Sequence, residues 1–154
     1  MSVFYSFHYA RDNWRVQQVM NIGQVERNPL LNHQEWENVK RGGDKAIKAW
    51  IDSQMRYKSV VIVLTGYETA SREWVQYEIQ RAYDLRKLLL GVRINRLKDR
   101  AGNQDPDGPN PFRFLGISYM SIPLFEPSSH DSQDVYREIR DNLPDWSKCG
   151  YARH

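Results

Sequence analysis

The sequence has a single cysteine, Cys149, in 154 residues. It therefore has no internal disulfide and too few thiols for a zinc cluster, which suits a reducing compartment. Cys149 also lies close to the C-terminal end, where fraying is common, and has no base beside it in sequence, so a catalytic thiol is not expected. No stretch approaches the ~20 apolar residues of a membrane span. The opening "MSVFYSFHYARD" is apolar only as far as Phe7, before His8, Arg11 and Asp12 interrupt it, and no signal-peptide core is expected there. A cytoplasmic protein with no membrane contact is the expectation. A concentrated basic face is missing as well: 22 basic against 19 acidic residues leave a net charge of +3 spread along the chain, so no nucleic-acid partner is expected.

Several signatures of cofactor and hydrolase chemistry are absent. No GxGxxG follows the first apolar run and there is no GxxxxGK[ST], which removes the Rossmann and P-loop readings. There is no HExxH, no GxSxG and no Cys/His ligand cluster, so neither a bound metal nor a bound cofactor is expected. A phosphorylated receiver domain is also unsupported, because "SVFYSFHYARD" lacks the adjacent acidic pair and "VIVLTG" lacks the acceptor aspartate.

What is present is the composition of one globular domain, with 40% hydrophobic and 27% charged residues. A chain of this length buries roughly two thirds of its unfolded surface. We assign residues 1–146 to the domain and 147–154 to a C-terminal tail. Three apolar runs without polar alternation, "SVFYSF" (2–7), "SVVIVLTG" (59–66) and "KLLLGVRI" (87–94), read as parallel strands buried on both faces. A weaker run, "MSIPLF" (120–125), carries Pro123 and suits an edge strand. A short second strand is expected near Ile22 to Val25.

Amphipathic stretches alternate with these runs. Val75, Ile79 and Ala82 form one helical stripe, and Val135, Ile139 and Leu143 another. "NWRVQQVMNIG" reads as the first helix, with Asp12 as N-cap and Gly23 near its end. "HQEWENVKRGGDKAIKAWIDSQM" reads as a helix with Ala46, Ile47, Trp50 and Ile51 on its apolar side, weakened at Gly42 and Gly43. Alternating strands and helices imply an α/β, flavodoxin-like three-layer fold with a five-stranded parallel sheet of order 2-1-3-4-5. Residues 95–116 form a long connection and 25–36 a second poorly patterned stretch; both could order on assembly.

In such a sheet, ligands bind beyond the carboxyl ends of the strands where the order reverses. The chain leaves the first strand through "SFHYARD" (6–12) and the third through "TGYETASREWVQYE" (65–78). Glu78 would then face the crevice from the second turn of the following helix, with Trp74 one turn before it on the same side. The plainer readings are a solvated Glu78 paired with Arg81, a Trp74 that only packs, and His8 and Tyr9 as ordinary loop residues. Arg72, at the start of that helix, is either a phosphate ligand or a solvated arginine.

"VFYSFHYARD", "SVVIVLTGYETASREWVQYEI" and "GPNPF" together resemble the TIR-like proteins of the bacterial Thoeris anti-phage defence system, the ThsB group, over residues 2–143. Trp74 to Glu78 is similar to the WxxxE motif that carries the essential glutamate of NAD-cleaving TIR domains. The resemblance implies that Glu78 is catalytic. It places Ser6, Phe7, His8 and Tyr9, at the first strand's end, and Trp74 in the substrate pocket. Trp36 falls where a TIR domain carries the loop and helix after strand 2, as pocket wall, core anchor or self-association surface. NAD would be the substrate rather than a cofactor. The implied reaction cleaves the nicotinamide–ribose bond and makes a cyclic or modified ADP-ribose. That diffusible signal would activate a separate effector, such as a sirtuin-type NADase with a nucleotide-sensing domain. Self-association and a phage-derived trigger are the implied controls. A catalytically silent TIR-like module that signals by assembly is the alternative.

Overall fold

In the computed structural model, which describes residues 2–22 and 33–154, the three apolar runs become the core of one sheet. Strands β1 (Val3–Ser6), β2 (Val60–Thr65), β3 (Leu88–Arg93) and β4 (Leu124–Phe125) pair in that order, all parallel. Every residue of β1 and β2 is buried, because helices cover both faces. α1 (Tyr9–Met20) and α5 (Ser132–Trp146) pack on the face carrying Val3, Tyr5, Ile62 and Leu64. α3 (Gly43–Met55) and α4 (Glu73–Asp84) cover the face carrying Phe4, Val61 and Val63. Each buried aliphatic side chain contributes about 1.5–3 kcal/mol. Both expected helical stripes are buried as read.

The flavodoxin-like α/β arrangement stands, with four strands among the described residues instead of five. The expected strand near Ile22 to Val25 lies, apart from Ile22, outside the described residues, as does Gly23. The helix expected over 33–55 is two helices, α2 (His33–Lys40) and α3, because the chain turns at Gly42 and Gly43. Gly43 has φ 82°, a left-handed conformation that glycine adopts without a Cβ penalty. β4 is shorter than the run 120–125 suggested: Arg113–Ser121 winds as 3-10 turns, and the Pro123 carbonyl accepts from Gly91 N at 2.9 Å just before the strand.

Three further expectations need correction. α1 starts at Tyr9 with His8 at its cap position, so Asp12 is not the N-cap; it lies in the first turn, fully buried. Its carboxylate is spent on Arg15, also fully buried, at 2.9 Å. Residues 95–108 do not wait for assembly. Arg15 binds the carbonyls of Leu97 (2.7 Å) and Asn103 (2.9 Å) and the Asp105 carboxylate (3.0 Å), while Arg93 reaches the Gly108 carbonyl at 2.7 Å. The segment after α5 is not frayed either, since Tyr151 exchanges two backbone hydrogen bonds with Leu89, at 2.8 and 2.9 Å. Among the described residues no helix is long and apolar enough to cross a membrane.

Candidate active site

Alternation along β1 sends Ser6 to the same face as Phe4, toward α3 and α4. α4 follows a 3-10 turn (Thr69–Ser71) and buries Val75, Ile79 and Ala82 against that face. Fixing this stripe fixes the rotation of the helix, and Glu78, one residue from Ile79, is carried under the carboxyl end of β1. There the Ser6 hydroxyl donates to Glu78 Oε1 at 2.7 Å. The two groups are separated by 72 residues in sequence. Above them opens a cavity of about 670 Å³, lined by Phe7, His8 and Tyr9 after β1, by Trp50 of α3 and by Trp74 and Glu78 of α4. Sites for small ligands commonly have ~300–1,000 Å³.

Glu78 is reached by solvent only in part, through this cavity, and burial pushes its carboxyl up to about 8. The Ser6 hydrogen bond favours the anion and opposes that shift. The pairing with Arg81 that the plainer reading of Glu78 offered does not occur: Arg81 donates to Asp52 at 3.0 Å, and Tyr77 OH binds the same Asp52 oxygen at 2.9 Å. Tyr77 in turn meets Trp74 edge to face, with ring centroids 5.9 Å apart. Trp74 therefore both packs against the core cluster and forms a wall of the cavity, its indole braced from outside by Tyr77.

His8 is half-buried, and its Nδ1 is enclosed with no hydrogen-bond partner among the described residues. Burial, and then the Arg72 guanidinium, lower its pKa and favour the neutral imidazole. Burial, and then Glu37, raise the pKa of the Tyr9 phenol. Arg72 stands at the head of α4 and on the cavity wall; its nearest carboxylate, Glu68, is 3.9 Å away and is held more closely by Arg11, at 2.9 Å.

The cavity thus brings together Phe7, His8, Tyr9, Trp74 and Glu78, with Ser6 beneath them. Trp36 belongs to α2, and its side chain lies outside the described residues. The loop 65–71 does not line the cavity as its position suggested. It packs instead against α1 and the 95–108 segment, with Gly66 against the Asp12 carboxylate and Gly108 against the Gly66 and Tyr67 carbonyls. A Cβ on Gly66 would come within 2.2 Å of Asp12 Oδ2, so this close approach requires glycine. Sequence reading missed Trp50, Asn13, Glu37 and Lys40 as cavity residues. Trp50 carried a usable signal, being an aromatic on the apolar side of its helix; the other three carried none.

A parallel sheet wrapped on both faces, with the glutamate of a WxxxE segment brought beneath the end of the first strand, defines a TIR-like domain. Residues 4–99 match the family described as "Thoeris protein ThsB, TIR-like domain", and the chain belongs to that family. It is also 37% identical over 124 residues, 77% of its length, to a Bacillus cereus (strain MSX-D12) protein named "Putative cyclic ADP-D-ribose synthase ThsB1". The chain spans 65% of the length of that relative.

Proposed function

We propose that this chain cleaves the nicotinamide–ribose bond of NAD at Glu78 and converts the ADP-ribose part into a cyclic or otherwise modified signal for an anti-phage effector. The observation that carries the reading is the Glu78 carboxyl at the base of a half-open cavity, held by Ser6 and by no cation among the described residues. When the bond from C1′ to the ring nitrogen breaks, its electron pair neutralises the pyridinium. Nicotinamide then leaves without a general acid. C1′ becomes oxocarbenium-like, as in glycoside cleavage. A Glu78 carboxylate at the ribose hydroxyls stabilises that charge, and in a site shielded from water such stabilisation is strong.

Phe7, Trp74 and the neutral His8 would pack around the substrate and exclude water. Cyclisation requires that an internal nucleophile of the ADP-ribose, rather than water, reaches C1′. The relative named as a cyclic ADP-D-ribose synthase supports cyclisation as the outcome. Self-association and a phage-derived trigger belong to this reading, since an unrestrained enzyme would drain a cofactor the host needs.

The test is Glu78→Gln, which keeps volume and removes the ionisable group. It is expected to fold and to abolish release of nicotinamide and of any cyclic product by mass spectrometry, at every protein concentration and with infected-cell lysate added. Wild-type yield from folded Glu78→Gln would instead favour the silent assembly module.

A further inference from the structure

Arg81 is the cation nearest Glu78 in sequence, and helical geometry prepares it to pair with that carboxyl. The two stand at i and i+3 on α4, a spacing that makes side chains neighbours on a helix surface. The Cα–Cβ bonds of a helix tilt toward its N-terminus, so Arg81 leans back over the turn that holds Glu78. Acid first and base second is also the order that favours such pairs. Yet no such pair forms. Arg81 Nε donates to Asp52 Oδ1 of α3 at 3.0 Å, and the Tyr77 hydroxyl donates to the same oxygen at 2.9 Å. Glu78 is left with the neutral Ser6 hydroxyl as its sole hydrogen-bond donor among the described residues. The Arg81 and Asp52 side chains are 34% and 39% exposed, and an ion pair this open to water adds little to stability. Stability alone does not explain why α3 presents a carboxylate at this point.

We propose that Asp52 is a positioning residue for the active site: by holding Arg81 from α3, it keeps that guanidinium off Glu78 and leaves the carboxylate free for the charge that develops on the substrate. The inference rests on the NAD-cleaving reading above and adds to it a pair of residues that act only through Glu78, since neither Asp52 nor Arg81 lines the cavity. A guanidinium bound to Glu78 would already occupy the carboxylate before any positive charge forms at C1′. The stabilisation would then be given to the ground state, and less of it would remain for the transition state. The choice facing a released Arg81 is narrow. On its own helix the carboxylates three residues away are Glu78 and Asp84. Asp84 lies against the lean of the side chain, is exposed, and already accepts from Gln80 Nε2 at 3.0 Å. Glu78 lies along the lean and is less open to solvent, where opposite charges attract more strongly.

The experiment compares wild type with Asp52→Ala, Arg81→Met and the double variant, all on the full chain. Nicotinamide release from NAD is followed by mass spectrometry, and the Glu78 carboxyl is titrated by carbon-13 NMR, with Glu78→Gln identifying its resonance. Asp52→Ala should slow release at least about tenfold, since outright removal of one electrostatic stabiliser costs about 10²–10³ in rate. It should also lower the Glu78 midpoint by about 1–3 pH units, the effect of an opposite charge within ~4–6 Å. Arg81→Met alone should leave both readouts near wild type. Combining it with Asp52→Ala should restore both, although Tyr77 still lacks its partner; a loss of packing at Asp52 would not be repaired by deleting a second side chain. A Glu78 midpoint that stays put in Asp52→Ala, or slow release that persists in the double variant, overturns the inference. If Asp52→Ala fails to fold, Asp52→Asn, which keeps the volume and removes the charge, is titrated under the same criterion. A wild type that releases no nicotinamide, even with infected-cell lysate added, removes the cleavage reading. The NMR comparison needs no turnover and still decides whether Asp52 holds Arg81 away from Glu78.

Discussion

Glu78→Gln should make the protein more stable relative to wild type as the pH rises. In the folded state burial holds the Glu78 carboxyl at about 8, against an ordinary value of 4.5. Between those values the folded protein keeps a proton that the unfolded chain gives up, so stability falls with increasing pH across that window and is level outside it. The difference, 8 − 4.5 = 3.5 units, corresponds at about 1.36 kcal/mol per unit to a ceiling near 5 kcal/mol. Water entering the cavity screens the anion and lowers the effective cost, so on the order of 2–3 kcal/mol is expected. Glutamine stays neutral and keeps the Ser6 hydrogen bond. Asp12 and His8 also have shifted pKa values, but they titrate alike in both proteins and cancel. Urea unfolding of both at pH 5, 7 and 9 measures the effect as a difference of differences. Curves that run parallel within about 0.5 kcal/mol would show that Glu78 is not held in a poorly solvated site, removing the basis of the argument for its chemistry.

Two further outcomes follow from other side chains. Arg15→Met keeps the bulk but leaves Asp12 buried and unpaired, which should cost about 3–5 kcal/mol and speed amide exchange in residues 97–105; a loss under 1 kcal/mol would mean that the buried network does not hold the long connection. His8→Ala removes a half-buried ring whose enclosed nitrogen has no partner among the described residues, so stability should change by less than about 1 kcal/mol while KM for NAD rises several-fold; a collapse in thermal stability with unaltered KM would make His8 structural.

The strands and helical stripes were legible in sequence because burial on both faces leaves a one-dimensional trace. β2 is six consecutive apolar or β-branched residues, and α4 and α5 repeat theirs every three to four positions. Family membership was legible for a related reason: the Trp74 to Glu78 spacing and the SFHY segment are local patterns. The break at Gly42 and Gly43 was visible as a weakness, though its sharpness depended on the left-handed Gly43. Asp12 was misread because an aspartate near a helix start is usually a cap, and nothing local announced that Arg15 would be buried beside it. The long connection looked unspecified for the same reason. Its order comes from Arg15 and Arg93, side chains that reach it from α1 and from the end of β3.

By itself the sequence determined the three buried strands and the apolar stripes of α4 and α5, and that Glu78 stands one turn after Trp74. Tertiary structure alone decided what surrounds that carboxyl. Ser6 meets it across 72 residues, Arg81 is drawn away by Asp52, and the cavity above it takes its walls from four helices and a strand end. A side chain's charge state depends on the dielectric and the partners within a few ångströms, and those neighbours are set by packing, which local sequence does not record.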